Sequence, residues 1–178
     1  MQRVPILSRV LDVVQAIALA LGVLMIVAMA VLMNTEIASR TIFGVSTQMS
    51  DEFSGYFFTA STLLCFIPAL RMGRFLAVEG FVVQLPPRGR AICEIGAALV
   101  GASVCAVLTS ATWDLAAASY AFGSQSLQAS QTPLFIPQGV MPIGFGLLAI
   151  TFVERGLIRA GSLWRGVALD SEINHAVD

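Results

Sequence analysis

Uncharged, largely apolar runs recur along the chain, from Val13 to Thr35, from Phe53 to Leu70, from Ile95 to Trp113 and from Leu115 to Val153. A hydrocarbon core of about 30 Å needs roughly 20 apolar residues at 1.5 Å rise each, so each of the first three runs is about one crossing long. The last run is longer, and its first part is polar, passing through Gly123, Ser124, Gln125, Ser126, Gln128, Ser130 and Gln131 to Thr132-Pro133. Only the segment from about Ile136 onward therefore reads as the fourth crossing. The pattern predicts an all-α integral membrane fold with spans near 12–40, 50–70, 91–118 and 136–156. These form one membrane domain over residues 1–178, ending in a polar tail at 165–178.

Charge gives the four crossings a direction. Arg3 and Arg9 precede the first span, Arg71, Arg74, Arg88 and Arg90 fill the middle loop, and Arg155, Arg159 and Arg165 follow the fourth, leaving only Arg40 on the opposite side. Lys and Arg in short loops are retained in the cytoplasm, whereas Asp and Glu carry little topological weight. Both termini and the middle loop are accordingly expected in the cytoplasm. Composition agrees: 57% hydrophobic and 12% charged residues compares with roughly a quarter charged in a soluble domain. Arg3, Arg9, the first apolar run and Ala28-Met29-Ala30 resemble a cleaved signal peptide, but the run exceeds a usual signal core and its loss would leave three spans. An uncleaved first helix is the simpler expectation.

Local features refine this outline. Glu36 and Arg40 have i,i+4 spacing with the acid first, which predicts a pair along one face of a first helix that continues past the lipid. Gly44 and Ser46 then turn the chain, and Ser50 is expected to cap the second helix, with Asp51 and Glu52 in its electropositive first turn. This polar cluster reads either as a salt-bridged rim fixing two helix ends or as a contact for another subunit. The middle loop, residues 71–90, mixes apolar and cationic positions. It predicts an interfacial helix in which Phe75, Val78 and Val82 face lipid, with Pro86-Pro87 ending it; a docking surface for a partner helix is the alternative. In the third span Ala97, Gly101, Cys105 and Thr109 recur every fourth residue beside Ala98, Ala102, Ala106 and Ser110, a smooth face for close helix packing within this chain or against another protein. Asp114, next to Trp113, is expected at the interface.

Much chemistry is missing. The sole histidine is His175 in the tail, there is no lysine, and Cys65, Cys93 and Cys105 have no C-x-x-C spacing and read as small core residues. No Ser-His-Asp or Cys-His set can be assembled in the spans, no haem or metal cofactor is expected in this chain, and nothing in the near-neutral charge points to nucleic acid. Four short helices without inverted repeats do not make a complete secondary transporter.

The order of polar pieces resembles the small (DctQ-type) membrane subunit of tripartite ATP-independent periplasmic (TRAP) transporters, over about Val10 to Leu163. The resemblance lies in Glu36-x-x-x-Arg40-x-x-Phe43-Gly44-x-Ser46, Asp51-Glu52, Arg71-x-Gly73-Arg74-x-x-x-Val78-Glu79, Leu85-Pro86 followed by Arg88 and Arg90, and Thr132-Pro133-Leu134-x-Ile136-Pro137 ahead of Pro142-x-Gly144-Phe145. Phe75 and Glu79 depart from it, standing where histidine and aspartate are common. The resemblance implies a bracing subunit of the bacterial inner membrane that assembles with a large multi-helix permease subunit, which carries the sodium sites and substrate path, and with a periplasmic substrate-binding protein that captures an organic acid. With the small-residue face of the third span, it makes Glu36, Arg40, Asp51, Glu52, Arg71, Arg74, Arg88, Arg90 and Pro133, and from that face Gly101, candidate partner-contact or structural residues. Arg40 and Glu52 are expected to tie the outer ends together or face the binding protein. A small homo-oligomeric four-helix channel or exporter is the alternative, disfavoured by the scarcity of pore-suited side chains.

Overall fold

The computed structural model describes residues 7–46, 48–72, 86–128 and 130–164. Four helices make up nearly all of it: α1 (Leu7–Phe43), α2 (Ser50–Arg71), α3 (Pro87–Ala121) and α4 (Phe135–Trp164). All four are long and apolar enough to cross a membrane. The predicted interfacial helix with Arg74, and the tail at 165–178, lie outside the described residues.

The helices outrun the apolar segments that announce them. Hydropathy registers only the part that sits in hydrocarbon, whereas i→i−4 hydrogen bonding continues wherever the next residues can sustain it. Arg159, beyond the span expected at 136–156, instead lies within α4, which runs on to Trp164. The charges that interrupt the runs form two layers. The rise from Asp12 to Glu36 on α1 is about 36 Å, from Glu52 to Arg71 on α2 about 28 Å, and from Glu94 to Asp114 on α3 about 30 Å, close to the thickness of a hydrocarbon core.

Spatial order differs from chain order. α1 packs on α2, α2 on α4 and α4 on α3, so the bundle is a row with α2 and α4 inside and α1 and α3 at its flanks. Ala18, Leu63, Ile67, Leu70, Cys105 and Leu148 form the core, and Ile67 and Thr151 are completely buried. Cys105 is buried and Cys65 half-buried, but Cys93 is exposed, which corrects its reading as a core residue: it lies on the flank of α3 away from α4.

α4 packs closely on α3 and on α2 because glycines stand where the helices meet, Gly101 of α3 against Phe152 of α4 and Gly144 of α4 against Leu63 of α2. A Cβ added at Gly101 would lie 2.7 Å from the Phe152 ring, and one at Gly144 2.9 Å from Leu63 Cβ. Small residues permit such approach, and in lipid van der Waals packing is what drives it. The smooth face of α3 is not the every-fourth-residue stripe. Ala97, Ala106 and Ser110 are exposed, while Ala91, Ala98, Cys105 and Ser119 are buried, with Ala102, Thr109, Thr112 and Ala116 partly buried among them. A step of four residues rotates about 40° out of line at 3.6 residues per turn. Alternating steps of four and three hold a seam against a neighbouring helix.

Gly101→Val should therefore destabilise the protein in detergent by about 1–3 kcal/mol through overpacking against Phe152. Combining it with Phe152→Ala should restore part of that loss, a coupling that thermal unfolding of the four variants in a double-mutant cycle would measure.

Candidate functional site

At the end of the row that carries the chain termini, Arg71 is the hub. It is the last residue of α2, where its side chain reaches both neighbouring helices. Its Nε and Nη2 donate to Glu154 Oε2 and Oε1 of α4, both at 3.1 Å. Nη1 donates to Asp12 Oδ1 and Gln15 Oε1 of α1, both at 2.9 Å. A planar guanidinium is suited to this, since one face-on carboxylate takes two parallel donors and the remaining donors turn elsewhere. Side-chain exposure is 11% for Arg71 and 3% for Glu154, so the pair is desolvated, and Glu154 in particular depends on Arg71 for its counter-charge.

A second guanidinium reinforces the same junction. Arg155 Nη1 donates to the Leu70 carbonyl, a second donor on a carbonyl that also accepts a backbone N–H at the C-cap, and places positive charge at the negative end of the α2 dipole. Arg159 of α4 pairs with Glu94 of α3 (Nη2 to Oε1, 3.0 Å), and Arg90 approaches the same carboxylate at 3.4 Å. All four helices are thus joined by ions at one level. Arg88 lies in the first turn of α3, but its side chain is outside the described residues.

The opposite end is closed by carboxylates that collect hydroxyls. Glu36, 6% exposed, accepts Arg40 Nε at 2.8 Å, Ser46 Oγ at 2.7 Å and Ser50 Oγ at 3.1 Å. It thereby binds α1 to the 44–49 turn and to the start of α2. Ser50 does not cap the helix: Met49 occupies the N-cap position without a side-chain cap, because the Ser50 hydroxyl is drawn to Glu36 instead. Arg40 itself is 54% exposed. Asp51 is exposed in the first turn of α2, whereas Glu52 is buried.

Glu52 accepts Tyr56 Oη at 2.6 Å and Ser130 Oγ from the α3–α4 connection. That connection is a shaped loop: Ser126 N bonds Thr132 O at 2.9 Å, Leu134 N bonds Ser124 O at 3.0 Å, and Pro133 forms an isolated bridge with Gln125. Arg40 and Glu52 do not meet each other. Each of Glu36 and Glu52 fastens a different loop.

Asp12, Gln15, Glu94 and Glu154 were not among the residues singled out from sequence. The available signal was depth: Arg71 and Glu154 each end an uncharged run at the same boundary, as do Asp12 and Glu94. Among the described residues no group of three or more His, Cys, Asp or Glu side chains is placed to hold a metal ion.

Residues 29–160 match the sequence model of a family described as "Tripartite ATP-independent periplasmic transporters, DctQ component". No curated protein sequence and no solved structure matches the chain.

Replacing Glu154 by Gln removes the buried carboxylate from Arg71 and leaves it only the half-exposed Asp12 at 2.9 Å, so the cost should approach the low end of the about 3–5 kcal/mol for breaking a buried pair from one side. Thermal unfolding in detergent should show this loss, and Arg71→Met with Glu154→Met together should recover most of it. At the other end Glu36→Ala should be the costlier change, since it orphans two hydroxyls. Arg40→Ala, which removes an exposed pair of a kind worth about 0–1 kcal/mol, should barely move the same melting curve.

Proposed function

The chain belongs to the DctQ family, the small component of TRAP transporters, and on that footing we propose that it is the bracing subunit of a sodium-coupled, binding-protein-dependent importer of organic acids. It sits in the bacterial inner membrane with both termini cytoplasmic, holds a large permease subunit that carries the sodium sites and the substrate path, and offers its outer end to a periplasmic binding protein. The observation that carries this reading is the use made of its charges at the membrane boundary. Arg71, Arg155 and Arg159 are engaged in helix-to-helix ties, as are Glu36 and Glu52 in ties to loops.

Such a body is stiff and presents broad apolar flanks. Val13, Leu24 and Val31 on α1, and Val100 and Val107 on α3, are all at least half exposed. Stiffness along the bilayer normal with unfilled flanks is what a brace requires, and a transport path would instead require polar groups facing a cavity.

Affinity purification of this chain from membranes should recover a larger multi-helix subunit, and the chain alone in liposomes should transport nothing. Uptake by the isolated chain, or its recovery as a homo-oligomer without a larger partner, overturns the reading. Arg40→Glu, in an assembly that still purifies intact, should reduce binding-protein-dependent uptake; undiminished uptake would remove Arg40 from the docking surface.

A further inference from the structure

Where α3 and α4 meet at the end that carries the chain termini, three guanidiniums gather around one carboxylate. Arg155 and Arg159 are four residues apart on α4 and so lie within about 40° of each other around its axis. Arg159 holds Glu94 of α3 through both Nη2 and Nε, and Arg90 approaches the same carboxylate at 3.4 Å. Arg155 donates to the Leu70 carbonyl, a neutral acceptor, and makes no ion pair among the described residues. Glu154 does not supply one: it lies about 100° from Arg155 around α4, with both oxygens taken by Arg71. Even counted together with the hub, where Arg71 meets Asp12 and Glu154, four arginines at this level stand against three acids.

The junction lies at the edge of the hydrocarbon, since Glu94 stands about 30 Å from Asp114 along α3, the thickness of the core. At that depth the anion supplied by the surroundings is a lipid phosphodiester, and basic pockets between transmembrane helices hold anionic headgroups. Arg90 and Arg159 keep 39% and 38% of their side chains exposed, so a headgroup can reach both. A guanidinium that pairs bidentately through Nε and one Nη still has donors on its far edge. An apolar path adjoins the charges: Ala97 and Val104 lie within about 40° of Arg90 around α3. Both are exposed, a shallow strip leading from the cationic junction toward mid-bilayer.

We propose that Arg90, Arg155 and Arg159 seat the headgroup of an anionic phospholipid from the leaflet on this side, with an acyl chain lying along Ala97 and Val104. A net-negative headgroup answers the surplus of positive charge, whereas a zwitterionic one brings its own cation up against the arginines. This site goes beyond the bracing role and does not depend on it.

The test uses the full chain in detergent, titrated separately with cardiolipin, phosphatidylcholine and inorganic phosphate while thermal unfolding is followed. Cardiolipin should raise the melting temperature saturably, and the other two should not. Equal stabilisation by phosphatidylcholine, which means acyl contact alone, or by phosphate, which means a free-anion site, overturns the seat. Arg155→Gln keeps a donor for the Leu70 carbonyl but loses the charge. It should weaken the apparent cardiolipin affinity about fivefold, the share of one arginine at a lipid surface, and Arg155→Lys should retain that affinity. Arg9→Gln, at an exposed position of α1 on the same side of the membrane, should leave it unchanged; a loss equal to that of Arg155→Gln means diffuse attraction and overturns the site. In native membranes a photo-crosslinking residue at Ala97 should give phospholipid adducts, and adducts with protein alone overturn the lipid in favour of a partner helix. If Arg155→Gln fails to fold, the lipid comparison on the unmodified chain and the Ala97 adducts still decide.

Discussion

Within hydrocarbon, burying a leucine against another helix gains nothing over leaving it against an acyl chain, so the usual driving force for packing is absent. What remains is close van der Waals contact and polar groups that demand partners. The protein places the first in the middle of the bilayer and the second at its two edges. Gly101 against Phe152 and Gly144 against Leu63 let backbones approach at mid-depth. At one boundary a single guanidinium on α2 binds α1 and α4 together, and at the other two buried carboxylates hold the connecting loops.

These devices reinforce each other through depth. Arg71 can chelate Glu154 only if α2 and α4 are held at a fixed height relative to one another, and the Gly144–Leu63 contact provides such a register. The desolvation of the pair makes any sliding of α2 along α4 expensive, because it would leave a charge unmatched near lipid. Along the row the helices therefore act as a single stiff body. Across it, the flanks of α1 and α3 are left open.

That anisotropy connects fold to role. A component of a transporter that contributes rigidity needs internal ties that do not depend on its partners, and lateral faces that do. The charged groups at the boundaries are used for the first purpose.

Much was legible in the order of residues. Four crossings follow from the length of uncharged runs, the Glu36–Arg40 spacing and the Asp51–Glu52 pair mark the turn between the first two helices, and the family's polar pieces appear in order. All of this is local, or set by the one-dimensional demand that lipid makes on a helix. Neighbour relations are not of that kind. That α4 lies between α2 and α3, that Arg71 meets residues 59 and 83 positions away, that Ser50 serves Glu36 rather than its own helix, and that the buried seam of α3 drifts away from the every-fourth-residue stripe were all decided by tertiary packing. Hydropathy reports how deep a residue sits, and depth leaves open which helix stands beside it; only the matching of knobs, gaps and charges between particular helices settles that.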